Sequence, residues 1–406
     1  MSTASYRQVL RLPQVSELLA CACLARLASR MFNLAIILYA LMRFDSPALA
    51  GWVAFAEIGP GLIASPYSGA LLDRLHAPLA IVVDLLVSAG LLITLMFFDQ
   101  TGQLTAALLI LLVTLCSLTS PLSASGIRVL IPRLAPDEAL ERANALDTGS
   151  YALTEVMGPA LAGSLFGLAG PAATMLTIAV LYLLAATSLI PMLRAAHLPA
   201  KRRSTTLAGE AVAGLTYVAR HPTLRGLVIS YSIYQMSWGV LLVVVPVAVI
   251  RALGPTANAD LTVGGLWAVC GLAGGLGALL AGRMRSTGRE RQMIGLSIAA
   301  MAVAIYPVAA SFGLYGLTAG IILMGFLEGP ADVGLLTLRQ RRTDPEWLGR
   351  VLTISMSLNV SGLPLGSAIG GWLVTHSLTA ALIFAAMASA TAAMVTFLLI
   401  PPSHHR

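Results

Sequence analysis

The sequence predicts an all-α integral membrane protein of twelve transmembrane helices arranged as two pseudo-symmetric six-helix bundles. Three observations lead there. Of 406 residues, 57% are hydrophobic and only 11% charged, whereas a soluble domain carries about 25% charged residues. Apolar runs of about 20 residues, enough helix to cross a hydrocarbon core about 30 Å thick, recur from one end of the chain to the other. The third is internal similarity between the two halves, set out below. The runs are too long and too unalternating for a β-barrel, and lipid otherwise admits only helices. The 37 Gly and 21 Pro show no three-residue period, and the formal charge of +7 lies in short clusters between apolar runs. No continuous basic face results, so nucleic acid is not an expected partner.

In chain order the spans are 15–42, 48–72, 78–98, 104–132, 144–169, 171–193, 224–250, 262–283, 291–311, 313–338, 349–375 and 378–401. Arg7 and Arg11 before the first run imitate a signal peptide, but Arg26 and Arg30 interrupt it and it continues to Met42, which reads as a retained span. Between spans 6 and 7, residues 194–222 hold Lys201-Arg202-Arg203 and an amphipathic stretch that reads as a short helix on the membrane surface. The expected organisation is an N-terminal bundle at 1–193, this linker at 194–222, and a C-terminal bundle at 223–406. Outside the spans the Arg and Lys residues fall on one side, with Arg43 and Arg251 on the other. The positive-inside rule then places both termini in the cytoplasm, in a bacterial-type inner membrane. Cys21 and Cys23 point to different sides of the first span, and Cys116 and Cys270 sit in other runs. They read as four buried thiols without a metal site or a disulfide.

The halves resemble each other at one fixed offset, 277 − 69 = 208 residues. Gly69-Ala70-Leu71-Leu72 at the end of span 2 matches Gly277-Ala278-Leu279-Leu280 at the end of span 8. Leu140, Arg142, Gly158, Ala160, Gly163 and Leu165 recur without a gap as Leu348, Arg350, Gly366, Ala368, Gly371 and Leu373. Repeated halves are common in transporters, whose substrates bind at the repeat interface.

The loop after span 2 carries Gly69, Leu71, Asp73 and Arg74 in the spacing G-x-L-x-D-R, and with it the chain resembles the major facilitator superfamily of secondary transporters over nearly its whole length. His76, Ala77 and Pro78 stand where the family has a Gly and basic residues. Ile131-Pro132-Arg133-Leu134, Arg142-Ala143-Asn144-Ala145, Gly158-Pro159-Ala160-Leu161-Ala162-Gly163 and the stretch Tyr217 to Arg225 are similar to the branch of drug and siderophore (enterobactin-type) exporters. The resemblance implies two roles for local motifs. Asp73 would face the start of span 11 near Arg350 as a cytoplasmic latch, with Gly69 and Arg74 in the same gating loop. Gly158-Pro159 would set the bend of span 5, although the motif's earlier glycine is Thr154 here. Small residues around Pro159 equally suit simple tight packing.

Ionisable residues inside a span are costly and face the bundle interior. Arg26, Arg30 and Asn33 lie at i, i+4 and i+7 on one face of span 1, either gluing helices together or contacting an anionic substrate. Candidate proton carriers are Glu57, Glu155, Glu328 and Asp332, since a desolvated carboxyl titrates nearer neutrality. Counted from the span starts at 15 and 144, Arg26 and Glu155 are each eleven residues in, at a common depth that allows them to pair. Asp84 and Arg128, near the cytoplasmic ends of spans 3 and 4, are expected in structural pairs. Tyr231, Tyr234, Gln235 and Trp238 of span 7 form either an aromatic wall for substrate or a packed face.

There is no phosphate loop, no paired Cys ligand motif and no nucleophile with a placed His, so an enzyme is not expected. The expectation is a monomeric carrier that exports an amphipathic small molecule by alternating access, driven by protons and needing no bound cofactor. An organic-anion carrier is the alternative, and a non-transporting sensor or lipid flippase a further one.

Overall fold

A computed structural model describes residues 6–74, 76–195, 207–283, 288–308, 312–344 and 347–402. The first membrane helices are α1 (Pro13–Phe44), α2 (Pro47–Arg74), α3 (Ala77–Gln100) and α4 (Ala106–Leu134). Spans 5 and 6 are carried by α5 (Asp137–Ser188), 52 residues long. At about 1.5 Å per residue a straight helix of that length would exceed the bilayer more than twofold. The chain turns instead at Gly170, whose φ of 83° and ψ of 174° belong to a region open essentially to glycine alone. Pro171 follows as the first residue of the new helix, where its missing N–H costs nothing, and the Thr174 hydroxyl donates to the Gly170 carbonyl at 2.9 Å.

The amphipathic helix expected in the linker is α6 (Leu207–Arg220); Lys201, Arg202 and Arg203 lie outside the described residues. Then follow α7 (Pro222–Leu253), α8 (Ala257–Arg283), α9 (Glu290–Val303, continuing as a π-turn over Ala304–Val308) and α10 (Gly313–Arg342). Span 11 is two helices, α11 (Leu348–Val360) and α12 (Gly362–His376), and span 12 is α13 (Leu378–Leu399). Span 11 breaks at Ser361 because Pro364 has no N–H for the Val360 carbonyl, and the Ser361 N–H bonds Leu358 at 3.1 Å instead. Thr105 and Ser377 cap α4 and α13, each accepting from the third residue on, at 3.2 Å. Nine described helices are long and apolar enough to span a membrane by themselves. The doubled α5 and the two interrupted spans, 9 and 11, bring the fold to twelve.

By packing, the chain divides into two compact units, one of residues 1–35 and 59–207, the other of 36–58 and 208–406. In the first unit α3 packs on α4 and α5. Gly61 of α2 closes on α4, where its N–H donates to Ser117 Oγ at 2.9 Å. In the second, α7 lies against α12 and α13, with the Ser237 hydroxyl donating to the Ala385 carbonyl at 2.7 Å. α8 and α10 also approach closely: a Cβ at Gly277 would collide with the Phe326 carbonyl oxygen, and one at Gly329 with the Ala278 nitrogen. Such contacts are how helices associate where lipid supplies no hydrophobic drive. None of the four cysteines is in a disulfide. Cys21 and Cys270 are buried as expected, but Cys23 and Cys116 are only half-buried.

Candidate functional site

In the first unit the polar stripe of α1 meets α5. Arg26, 9% exposed, donates from one guanidinium nitrogen to Asp147 Oδ1 at 2.6 Å and from the other to the Asp147 carbonyl oxygen at 3.0 Å. It also bonds Ser150 Oγ, and its guanidinium carbon lies 3.7 Å over the centroid of Tyr151. Arg30 pairs with Glu155 at 2.8 Å, with side chains 36% and 50% exposed. Gly158, one turn beyond Glu155, lets α5 close on α1: a Cβ there would run into Cβ of Arg30. Asn33 is half-buried.

The expected pairing of Arg26 with Glu155 is therefore corrected, because α5 begins at Asp137, seven residues before the assumed span start of 144. Counted from the helix starts Pro13 and Asp137, Arg30 is 30 − 13 = 17 residues in and Glu155 is 155 − 137 = 18. Arg26 is 13 in and Asp147 is 10. Asp147 was missed by sequence reasoning, although its spacing of eight from Glu155 places two acids on one face of α5 for two arginines on α1. Structural pairing of Asp84 and Arg128 is also corrected. Among the described residues Asp84 joins no ion pair, and Arg128 is exposed with its guanidinium 5.1 Å from the Tyr151 centroid.

In the second unit the acids of α10 meet aromatic hydroxyls of α7. The Tyr231 hydroxyl donates to Asp332 Oδ1 at 2.7 Å; Tyr231 is 4% exposed, whereas Asp332 is exposed. Glu328, one turn before it and half-buried, also neighbours Tyr231 and Tyr234. Tyr234 accepts from Trp238 Nε1 at 2.5 Å, and the Trp238 ring lies 6.0 Å from that of Trp267. Tyr231, Tyr234 and Trp238 are thus a buried, hydrogen-bonded packed face, while Gln235 and Glu57 are half-buried. Gly69, Asp73 and Arg74 fall in the last turns of α2 and Arg350 in the first turn of α11, but the Asp73, Arg74 and Arg350 side chains lie outside the described ones. Pro159 is inside α5.

Outside the spans, the second unit carries a clasp that sequence reasoning did not find. Tyr217 of α6 stacks on Trp347 at 4.9 Å, and its hydroxyl donates to Asp344 Oδ2 at 2.8 Å. His221 also stacks on Tyr217, at 6.1 Å. Burial first, and then the Arg342 charge, hold the His221 imidazole below its ordinary value of 6.5, with Asp344 opposing.

Twelve apolar spans with acids and arginines turned onto one another define a polytopic membrane transporter, and the comparisons with known proteins agree. The sequence profile of the Major Facilitator Superfamily matches residues 18–287 and 227–406, and the chain belongs to that family. It is similar to the uncharacterized MFS-type transporter y4rN of Sinorhizobium fredii (strain NBRC 101917 / NGR234), 47% identical over 398 residues, 98% of this chain and 97% of that one. Solved structures share the fold. A mutant of the nucleoside transporter NupG superposes with a TM-score of 0.75 at 12% identity over 96% of this chain and 100% of that one. A bacterial homologue of the iron transporter ferroportin, in an inward-facing state, gives 0.72 at 18% identity over 96% and 99%.

Proposed function

We propose that this transporter of the major facilitator type works by alternating access and exports an amphipathic small molecule in exchange for protons. The observation that carries the coupling is Asp332. It is an acid within span 10, hydrogen-bonded by a buried tyrosine, with Glu328 a turn away. A carboxyl so placed can release and take up a proton without leaving its partner, and the tyrosine hydroxyl stabilises the charged form. Glu155 and Glu57 are the remaining candidates. Asn33 and Gln235, half-buried, are the proposed polar contacts for substrate. Export rests on the likeness to the exporter branch carried by Ile131 to Gly163 and Tyr217 to Arg225. The bilayer in question is the inner membrane, with both termini cytoplasmic, a monomer as the working unit, and the proton gradient in place of a bound cofactor.

The organic-anion reading has less support, because Arg26 and Arg30, which would receive the anion, already hold Asp147 and Glu155. The test starts from purified protein screened by thermal shift against drugs, siderophores and lysolipids. The stabilising compound is then used in proteoliposomes, by counterflow and under an imposed pH gradient. Proton-coupled export predicts counterflow together with a substrate-induced change of internal pH; counterflow without the pH change removes the coupling, and binding without counterflow removes the carrier.

A further inference from the structure

Asp84 of α3 is a buried acid that, unlike the equally buried Glu290, which pairs with Arg341, has no ion pair among the described residues. It is 2% exposed, eight residues into its helix, between the buried apolar side chains of Ile81 and Leu85. The hydroxyls of Ser88 on α3 and of Thr119 and Ser123 on α4 ring its carboxyl. Two of those hydroxyls also have a backbone acceptor: Thr119 donates to the Cys116 carbonyl at 3.1 Å and Ser123 to the Ser120 carbonyl at 3.2 Å. Each hydroxyl can turn either its proton or a lone pair toward the carboxyl, and Asp84 Oδ1 is buried with no hydrogen-bond partner among the described residues. A carboxylate buried with an unpartnered oxygen costs several kcal/mol, a cost that a cation held between it and the hydroxyl oxygens would offset.

Among the described residues, the neighbouring elements supply no charge that does this. The titratable group facing Asp84 from α1 is Cys21, which bonds Ser188 of α5 and lies near Arg26. Arg26 is itself taken by Asp147 of α5, Glu155 of α5 is taken by Arg30, and the Arg128 guanidinium of α4 is over Tyr151.

We propose that Asp84, Ser88, Thr119 and Ser123 form a binding site for a small monovalent cation, a proton or a sodium ion, within the first unit. Both cations suit an all-oxygen donor set of one carboxylate and several hydroxyls. A proton would sit on Asp84 and be donated to Thr119 or Ser123, whose own protons continue to the backbone; a sodium ion would take the hydroxyl oxygens together with the carboxylate.

The test uses the purified full-length protein without substrate or gradient, so its result is independent of whether Glu328 and Asp332 couple transport. Thermal midpoints are measured in sodium chloride and in choline chloride at equal ionic strength and fixed pH. For a sodium site, the midpoint climbs with sodium alone, and Asp84→Asn removes most of the climb. Infrared difference spectra over a pH titration read the proton arm: a proton site shows the carbonyl band of a protonated carboxylic acid that is absent in Asp84→Asn. In case that variant does not fold, Thr119→Val and Ser123→Ala keep the carboxyl, and each should weaken the sodium response or shift the titration about tenfold in cation concentration. The proposal is overturned if wild type shows neither response, or if the response persists unchanged in the variants.

Discussion

The two units solve the same problem, an acid inside a bilayer, with different partners. In the first, Asp147 and Glu155 are ion-paired with Arg26 and Arg30; in the second, Asp332 is hydrogen-bonded by the neutral hydroxyl of Tyr231, with the buried Arg339 acting on it through charge without an ion-pair contact among those described. A guanidinium supplies a fixed positive charge at every working pH, because an Arg does not titrate there. A phenol stabilises the carboxylate without fixing its charge. The difference assigns rigidity to the contact between α1 and α5 and leaves protonation free to change at the contact between α7 and α10.

The largest effect should come from breaking the buried pair. Arg26→Ala leaves Asp147 uncompensated and should cost about 3–5 kcal/mol of stability, read as a lowered thermal midpoint. Arg26→Met combined with Asp147→Leu should recover most of that loss. If the single and double variants melt together, Asp147 is not what Arg26 holds. A change of about tenfold or more, near 1.4 kcal/mol, is expected in gradient-driven transport for Asp332→Asn and Glu328→Gln, with counterflow preserved. Glu155→Gln should lose far less, and a larger loss there would move the coupling to the first unit. Tyr231→Phe sharpens the comparison by removing the hydroxyl alone; it should cost about 1–3 kcal/mol, read as a lowered thermal midpoint. Arg30→Ala should cost only about 0.2–1 kcal/mol, its pair being half-exposed. The smallest effect concerns His221. Its folded value lies below the ordinary 6.5, so the unfolded chain takes up the proton first. The clasp then keeps its full stability above pH 6.5 and loses it as pH falls from there through the lower folded value. His221→Gln should flatten that dependence in melting curves recorded across this range.

The spans were legible because each is a long apolar run, and the boundary between spans 5 and 6 falls at Gly170 in both sequence and structure. The beginning of α5 was not. Asp137, Glu138 and Glu141 are too polar to read as span, yet they form its first turns, and that seven-residue error moved Glu155 onto the wrong arginine. Asp147 was overlooked because a single acid near a span end looks solvated, and only the packed partner reveals otherwise. The aromatic residues of span 7 were legible as a group, but periodicity does not distinguish a packed face from a cavity wall. The clasp of Tyr217, Asp344 and Trp347 joins positions more than a hundred residues apart, and no local pattern announces that.

The turn at Gly170 also constrains how the chain enters the bilayer during synthesis. With a single residue between them, spans 5 and 6 have no connecting loop that could wait on one side while the second span emerges. They must insert together as a helical hairpin, and any residue other than glycine at the bend meets a strained backbone at that moment. Gly170→Val should therefore lower the yield of membrane-inserted protein more than it lowers the activity of each molecule that arrives.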